Sequence, residues 1–109
     1  MSEKRSETII KIIRKAAADF IQKESNGSSL ITITDVKLSN DEKYANILFT
    51  VLPENKENIA LEFTKRMRSE FREYVRNHTK LGKIPTFDFQ IDLGEKHRQK
   101  IDEISMRNS

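Results

Sequence analysis

A chain of 109 residues, 36% hydrophobic and 34% charged, has room for one domain with a modest core. Its 20 Lys and Arg against 17 Asp and Glu leave a formal charge of +3, an excess too small to name a polyanionic partner until its distribution is known. The absence of cysteine excludes disulfides and thiolate metal sites, and no apolar run reaches the roughly 20 residues of a membrane-spanning helix.

The N-terminus, MSEKRSETII, is too charged and too interrupted for a signal peptide, so the chain reads as soluble and cytoplasmic. Residues 6–24 are expected to be helical. Ile9, Ile13, Ala16, Ala17 and Phe20 recur at the spacing of one apolar stripe, widened by Ile12 and Ile21. Lys4, Lys11, Arg14 and Lys15 occupy the opposite side. The turn-forming run SNGSS, 25–29, ends this helix.

LITITDVKL (30–38) and YANILFTVL (44–52) are rich in β-branched residues and lack the helical period, so they read as two strands joined by a five-residue hairpin loop. Pro53 stops the second. One long helix is then expected over about 57–79. Phe63, Met67, Phe71, Tyr74 and Val75 share its apolar side. Lys65, Arg68, Arg72 and Arg76 stack on the side behind, at steps of three, four and four. Glu62, Glu70 and Glu73 fall to one flank, which leaves the cationic stripe unneutralised along its own line. Gly82 and Pro85 break the helix. TFDFQID (86–92) alternates as a half-buried strand should, and a short amphipathic helix using Ile101 and Ile104 follows Gly94.

Helix, strand, strand, helix, strand and a terminal helix imply a two-layer α+β domain. Its three-stranded mixed sheet carries two amphipathic helices on one face. A single domain spans 1–109, with its ordered core at about 5–104.

The stretches TITDVKLSNDEKYANILFTVL and KLGKIPTFDFQID, behind a basic amphipathic helix, resemble ribosome-binding factor A. Val36, Ser39, Asp41, Tyr44-Ala45, Ile84-Pro85, Phe87 and Asp92 carry the match, in the same order and at similar separations. The resemblance implies a KH-like domain of the type II topology. It also implies a non-catalytic bacterial assembly factor that binds the immature 30S ribosomal subunit and assists maturation of 16S rRNA at its 5′ end, with a link to growth in the cold. The free factor would be a monomer with no cofactor and no small-molecule substrate. In the family an Ala-x-Gly kink inside a helix replaces the Gly-rich turn by which KH-like domains grip nucleic acid. Here the corresponding residues are Met67, Arg68 and Ser69, with neither Ala nor Gly; the Ser69 hydroxyl could bond back one turn and bend the helix.

The strongest functional signal in the residues themselves is the stripe of Lys65, Arg68, Arg72 and Arg76, because the planar fork of Arg suits phosphate oxygens. The strip of Lys4, Lys11, Arg14 and Lys15 and the loop lysines Lys80 and Lys83 extend the candidate RNA-binding set, while Lys37 and Lys43 read as solvated. This reading requires the arginines to stand clear of ion pairs and of overlying segments. His78 and His97 lie in different elements without partners at ligand spacing, so they read as solvated or capping residues and no metal site is expected. The phenylalanines at 49, 63, 71, 87 and 89 fit core positions better than stacking platforms. Two other functions fit the size and charge: a small ribosome-associated ribonuclease, and a protein-interaction module whose third strand joins a partner's sheet.

Overall fold

The computed structural model describes the backbone of residues 2–24 and 27–107, with side chains described over 5–24 and 27–101. The side chains of Lys4 and Ile104, and residues 25 and 26 of the first turn, lie outside the described residues. Four helices and three strands follow in the order α1 (Ser2–Glu24), β1 (Leu30–Leu38), β2 (Tyr44–Leu52), α2 (Glu57–Arg66), α3 (Arg68–His78), β3 (Thr86–Ile91) and α4 (Leu93–Arg107), with a 3₁₀ turn at Glu54–Lys56. Helix α1 begins four residues earlier than expected, since nothing in the first turn is a helix breaker.

The sheet order is β1-β2-β3, with β1 antiparallel and β3 parallel to β2. A register shift between Ile33 and Asp35 exchanges the faces of β1: Ile31 and Ile33 pack against the core before it, Val36 and Leu38 after it. This bulge is why β1 shows no clean alternation in sequence. At the hairpin the Ser39 hydroxyl donates to Asp41 Oδ1 at 2.7 Å, and the same oxygen accepts the Lys43 N–H at 3.0 Å. The Ser39 hydroxyl holds the Asp41 carboxyl below its ordinary range, with the Lys43 N–H adding to the effect. Two of the residues that carry the family resemblance thus lock a loop.

One face of the sheet is covered by α1 and the α2–α3 pair. Ile13, Ile47, Phe49, Phe71, Val75 and Phe89 are fully buried between the layers. Phe71 is the hub: its ring centroid lies 5.3 Å from Phe20, 4.7 Å from Phe87 and 5.6 Å from Phe89. Phe63 is half-buried at the margin of this cluster.

The expected single helix over 57–79 is two. At Met67 the backbone reaches φ −89°, ψ 3°, and its N–H is shared between Phe63 O and Thr64 O at 3.1 Å each. The cause is not the serine. Ser69 is exposed and makes no side-chain hydrogen bond among the described residues. Thr64, fully buried, donates its hydroxyl to Leu61 O at 2.9 Å, the back-bonding that bends helices. The last helix also differs. It starts at Leu93, not after Gly94, because Asp92 caps it: the Glu95 N–H donates to Asp92 Oδ1 at 2.9 Å. The other carboxylate oxygen of Asp92 accepts the Thr34 hydroxyl at 2.5 Å, which ties the start of α4 to β1. Ile101, expected to pack, is 63% exposed.

Candidate nucleic-acid interface

The stripe along α2 and α3 does not stand free. Lys65 Nζ lies 2.8 Å from Asp88 Oδ1, and Arg68 Nη1 lies 3.4 Å from the same atom. Arg72 Nη1 donates to Ile84 O at 3.0 Å and Pro85 O at 2.9 Å. Arg76 pairs with Glu73 at 2.8 Å. The expectation of an unneutralised cationic line is therefore corrected, and the requirement placed on the three arginines is not met. The reason is tertiary. Asp88 comes from β3, a strand that no helical projection of α2 and α3 contains, and Glu73, on the flank, reaches Arg76 one turn on.

These contacts lie along the outer edge of β3 and its entrance. Thr86 and Asp92 donate their N–H groups to Lys43 O and Phe49 O of the β2 side, so residues of the other parity turn theirs outward. The outward N–H of Phe89 is taken by Asp88 Oδ1 at 2.9 Å, and Arg72 takes the two carbonyls at the entrance to the strand. Partial burial works against ionisation of Asp88, but Lys65 and the Phe89 N–H outweigh it and hold the carboxyl below its ordinary 3.8. Arg72 thus clamps the crossover helix to β3. Arg72→Ala is expected to lower the unfolding free energy by about 1–3 kcal/mol, because two half-buried carbonyls lose a charged donor. Arg76→Ala, which breaks only a surface pair, should cost about 0–1 kcal/mol. Chemical denaturation of the two variants checks the contrast.

Another group of cations is better presented. Lys11, Arg14, Lys80 and Lys83 are exposed and have no ion-pair partner among the described residues, and Lys15 reaches only Asp19, at 3.5 Å. The tertiary fold brings part of the α1 strip to the loop after α3. Lys80 borders a groove with Lys15 on one side and a groove with Arg5 and Lys83 on the other. Arg5 itself pairs with Glu42 at 3.3 Å. Lys11 lies one turn before Lys15 on the outer side of α1, whereas Arg14 is turned about 100° away, toward the β1 flank. Lys4 lies in the same helix, its side chain outside the described residues. Lys15, with Lys11 one turn before it, therefore forms one surface with the loop lysines, Arg14 lies apart from it, and Lys65, Arg68 and Arg72 belong to the β3 edge.

Sequence reasoning also passed over a ring pair. His78, taken as solvated or capping, is stacked on Tyr74 with centroids 4.1 Å apart and planes 18° apart. The i, i+4 spacing of the two residues was the available signal. His97 is exposed on α4, and among the described residues no group of three or more His, Cys, Asp or Glu could hold a metal ion. No helix among the described residues is long and apolar enough to cross a membrane.

A family model described as ribosome-binding factor A matches residues 3–105. The chain is similar to the ribosome-binding factor A of Kosmotoga olearia, with 30% identity over 97 residues that cover 88% of this chain and 78% of that one. Against the ribosome-binding factor A of Pseudothermotoga lettingae the identity is 28% over 97 residues, covering 88% and 81%. Among solved structures, the crystal structure of ribosome-binding factor A from Thermus thermophilus superposes with a TM-score of 0.70 at 20% identity, covering 78% of this chain and 92% of that one. That likeness concerns the fold, the KH-like α+β arrangement that the family resemblance implied and with which the element order agrees.

Proposed function

Since the chain belongs to the ribosome-binding factor A family, we propose that it binds the immature 30S ribosomal subunit in the cytoplasm and assists maturation of 16S rRNA, including its 5′ end, without itself catalysing a reaction. The observation that supports an RNA partner is the surface built by α1 and the loop after α3, where Lys11, Lys80 and Lys83 have no ion-pair partner among the described residues and Lys15 meets only Asp19, at 3.5 Å. Such a surface suits the phosphates of a folded RNA, where shape supplies the selectivity. Arg68 and Arg76, with about half of each side chain exposed, lie in weak surface pairs that phosphates can displace, and they form the margin of the same proposal. Arg72 is assigned to the fold.

Co-sedimentation with small subunits tests the reading. Four phosphate contacts give a slope of log affinity against log salt of about −2.8 to −3.6, and so a loss of about 50- to 150-fold between 50 and 200 mM salt. Binding is expected to be tighter to subunits from cells with incomplete 16S rRNA than to mature ones. Salt-independent binding, or none, contradicts the reading. New RNA ends produced by the purified protein in the same incubations would support the ribonuclease instead.

A further inference from the structure

A chain of rings runs from the core to the surface. Phe71 meets Phe20 at 5.3 Å, Phe20 meets Tyr74 at 5.4 Å, and Tyr74 meets His78 in the parallel stack at 4.1 Å. His78 is exposed, so the ring face turned away from Tyr74 meets solvent. Its Nδ1–H donates to Tyr74 O at 3.0 Å, which holds the ring in place at the end of α3. A flat surface aromatic fixed by its own helix and backed by buried rings is organised before any ligand arrives.

The pair opens into a groove of about 320 Å³ between α1 and the end of α3. That is at the small end of the roughly 300–1,000 Å³ typical of small-ligand sites. Ile12 and Ala16 contribute apolar lining, and Lys15, Asp19 and Lys80 contribute charge. Lys23 Nζ lies 5.9 Å from the Tyr74 ring centroid, a further cation beside the same rings. An i, i+4 Tyr–His pair steadies a helix slightly, but that role calls for neither a groove nor lysines around it.

We propose that the Tyr74–His78 ring pair is a stacking platform for one unpaired base of the bound RNA, with Lys15 and Lys80 placed for the flanking phosphates. The site rests on the RNA-binding reading above and goes beyond it, because the lysine surface alone reads only backbone charge. An unpaired base unites the two chemistries that meet in the groove: a flat π-face for the rings, and phosphates for the ammonium groups. Asp19, beside Lys15 in the groove, can accept from the exocyclic amino group of a cytosine, adenine or guanine.

Fluorescence anisotropy with the full-length protein tests the platform, using a short labelled single-stranded RNA and an abasic copy of the same length. The wild type should prefer the base-bearing strand by about 5- to 150-fold, the range of one base–aromatic stack. His78→Ala, at an exposed position, should lose most of that preference, and His78→Phe should retain it. All three proteins should bind the abasic strand equally. Replacing Lys15 and Lys80 with Gln together should make the salt slope shallower by about 1.4, at 0.7 per single-strand contact. Equal binding of the base-bearing strand by wild type and His78→Ala, with subunit co-sedimentation intact, overturns the platform and leaves the RNA-binding reading standing. If the wild type binds neither the oligonucleotides nor the subunits, both fall.

Discussion

Phe71→Ala is expected to lower the unfolding free energy by about 3–5 kcal/mol, a larger loss than removal of the Arg72 clamp should cause. The side chain is fully buried and touches the rings of Phe20, Phe87 and Phe89, which arrive on α1 and β3. Truncation leaves a cavity that three rigid rings from two other elements cannot collapse to fill. Domains of this size are stable by about 5–15 kcal/mol in total, so the loss removes a fifth of that stability or more. Urea titration followed by circular dichroism measures the loss. A cost below about 1 kcal/mol would mean that the layers are not held together at this residue.

The second large effect is on binding. Replacing Lys11, Lys15, Lys80 and Lys83 with Gln together should reduce association with small subunits at 50 mM salt by at least the roughly 50- to 150-fold that the wild type loses between 50 and 200 mM, and the remaining binding should depend little on salt. All four side chains are exposed, and their one ion pair among the described residues is the surface contact of Lys15 with Asp19, so thermal melting should shift little. The arginines of α3 behave differently. Reversing the charge of Arg72 leaves Ile84 O and Pro85 O without their donor, so any loss of binding in that variant is mixed with loss of fold. A variant that keeps Arg72 and removes the four lysines separates the two effects.

Which features were legible in the sequence depends on how far apart the cooperating residues lie. The bounds of β1 and β2 follow from β-branched runs stopped by turn residues, and β3 from the alternation of Phe87, Phe89 and Ile91 with polar neighbours. Features within one or two turns of a helix were partly legible. Asp92, placed inside the expected strand TFDFQID, is the cap of α4, a role that its place three residues before Glu95 could have signalled. The break at Met67 was harder to see, because it depends on a buried Thr64 whose hydroxyl turns to its own helix.

The arginine stripe shows where such reasoning stops. A helical projection arranges Lys65, Arg68, Arg72 and Arg76 correctly on one side of their own elements. It carries no information about β3 and the loop before it, which supply Asp88 and the carbonyls of Ile84 and Pro85 to that same side. Long-range pairing converted an apparent binding face into a strand clamp. The same folding placed the less conspicuous Lys15 of α1 beside Lys80, and the rings of Tyr74 and His78 with them.

Lysine acetylation of the wild-type protein, read by mass spectrometry with and without bound small subunits, tests the lysine surface most directly. Lys11, Lys15, Lys80 and Lys83 should lose reactivity in the complex, while Lys37 on β1 and Lys100 on α4 keep theirs. Protection of Lys37 and Lys100, with the four remaining reactive, would place the RNA on another face and contradict the account.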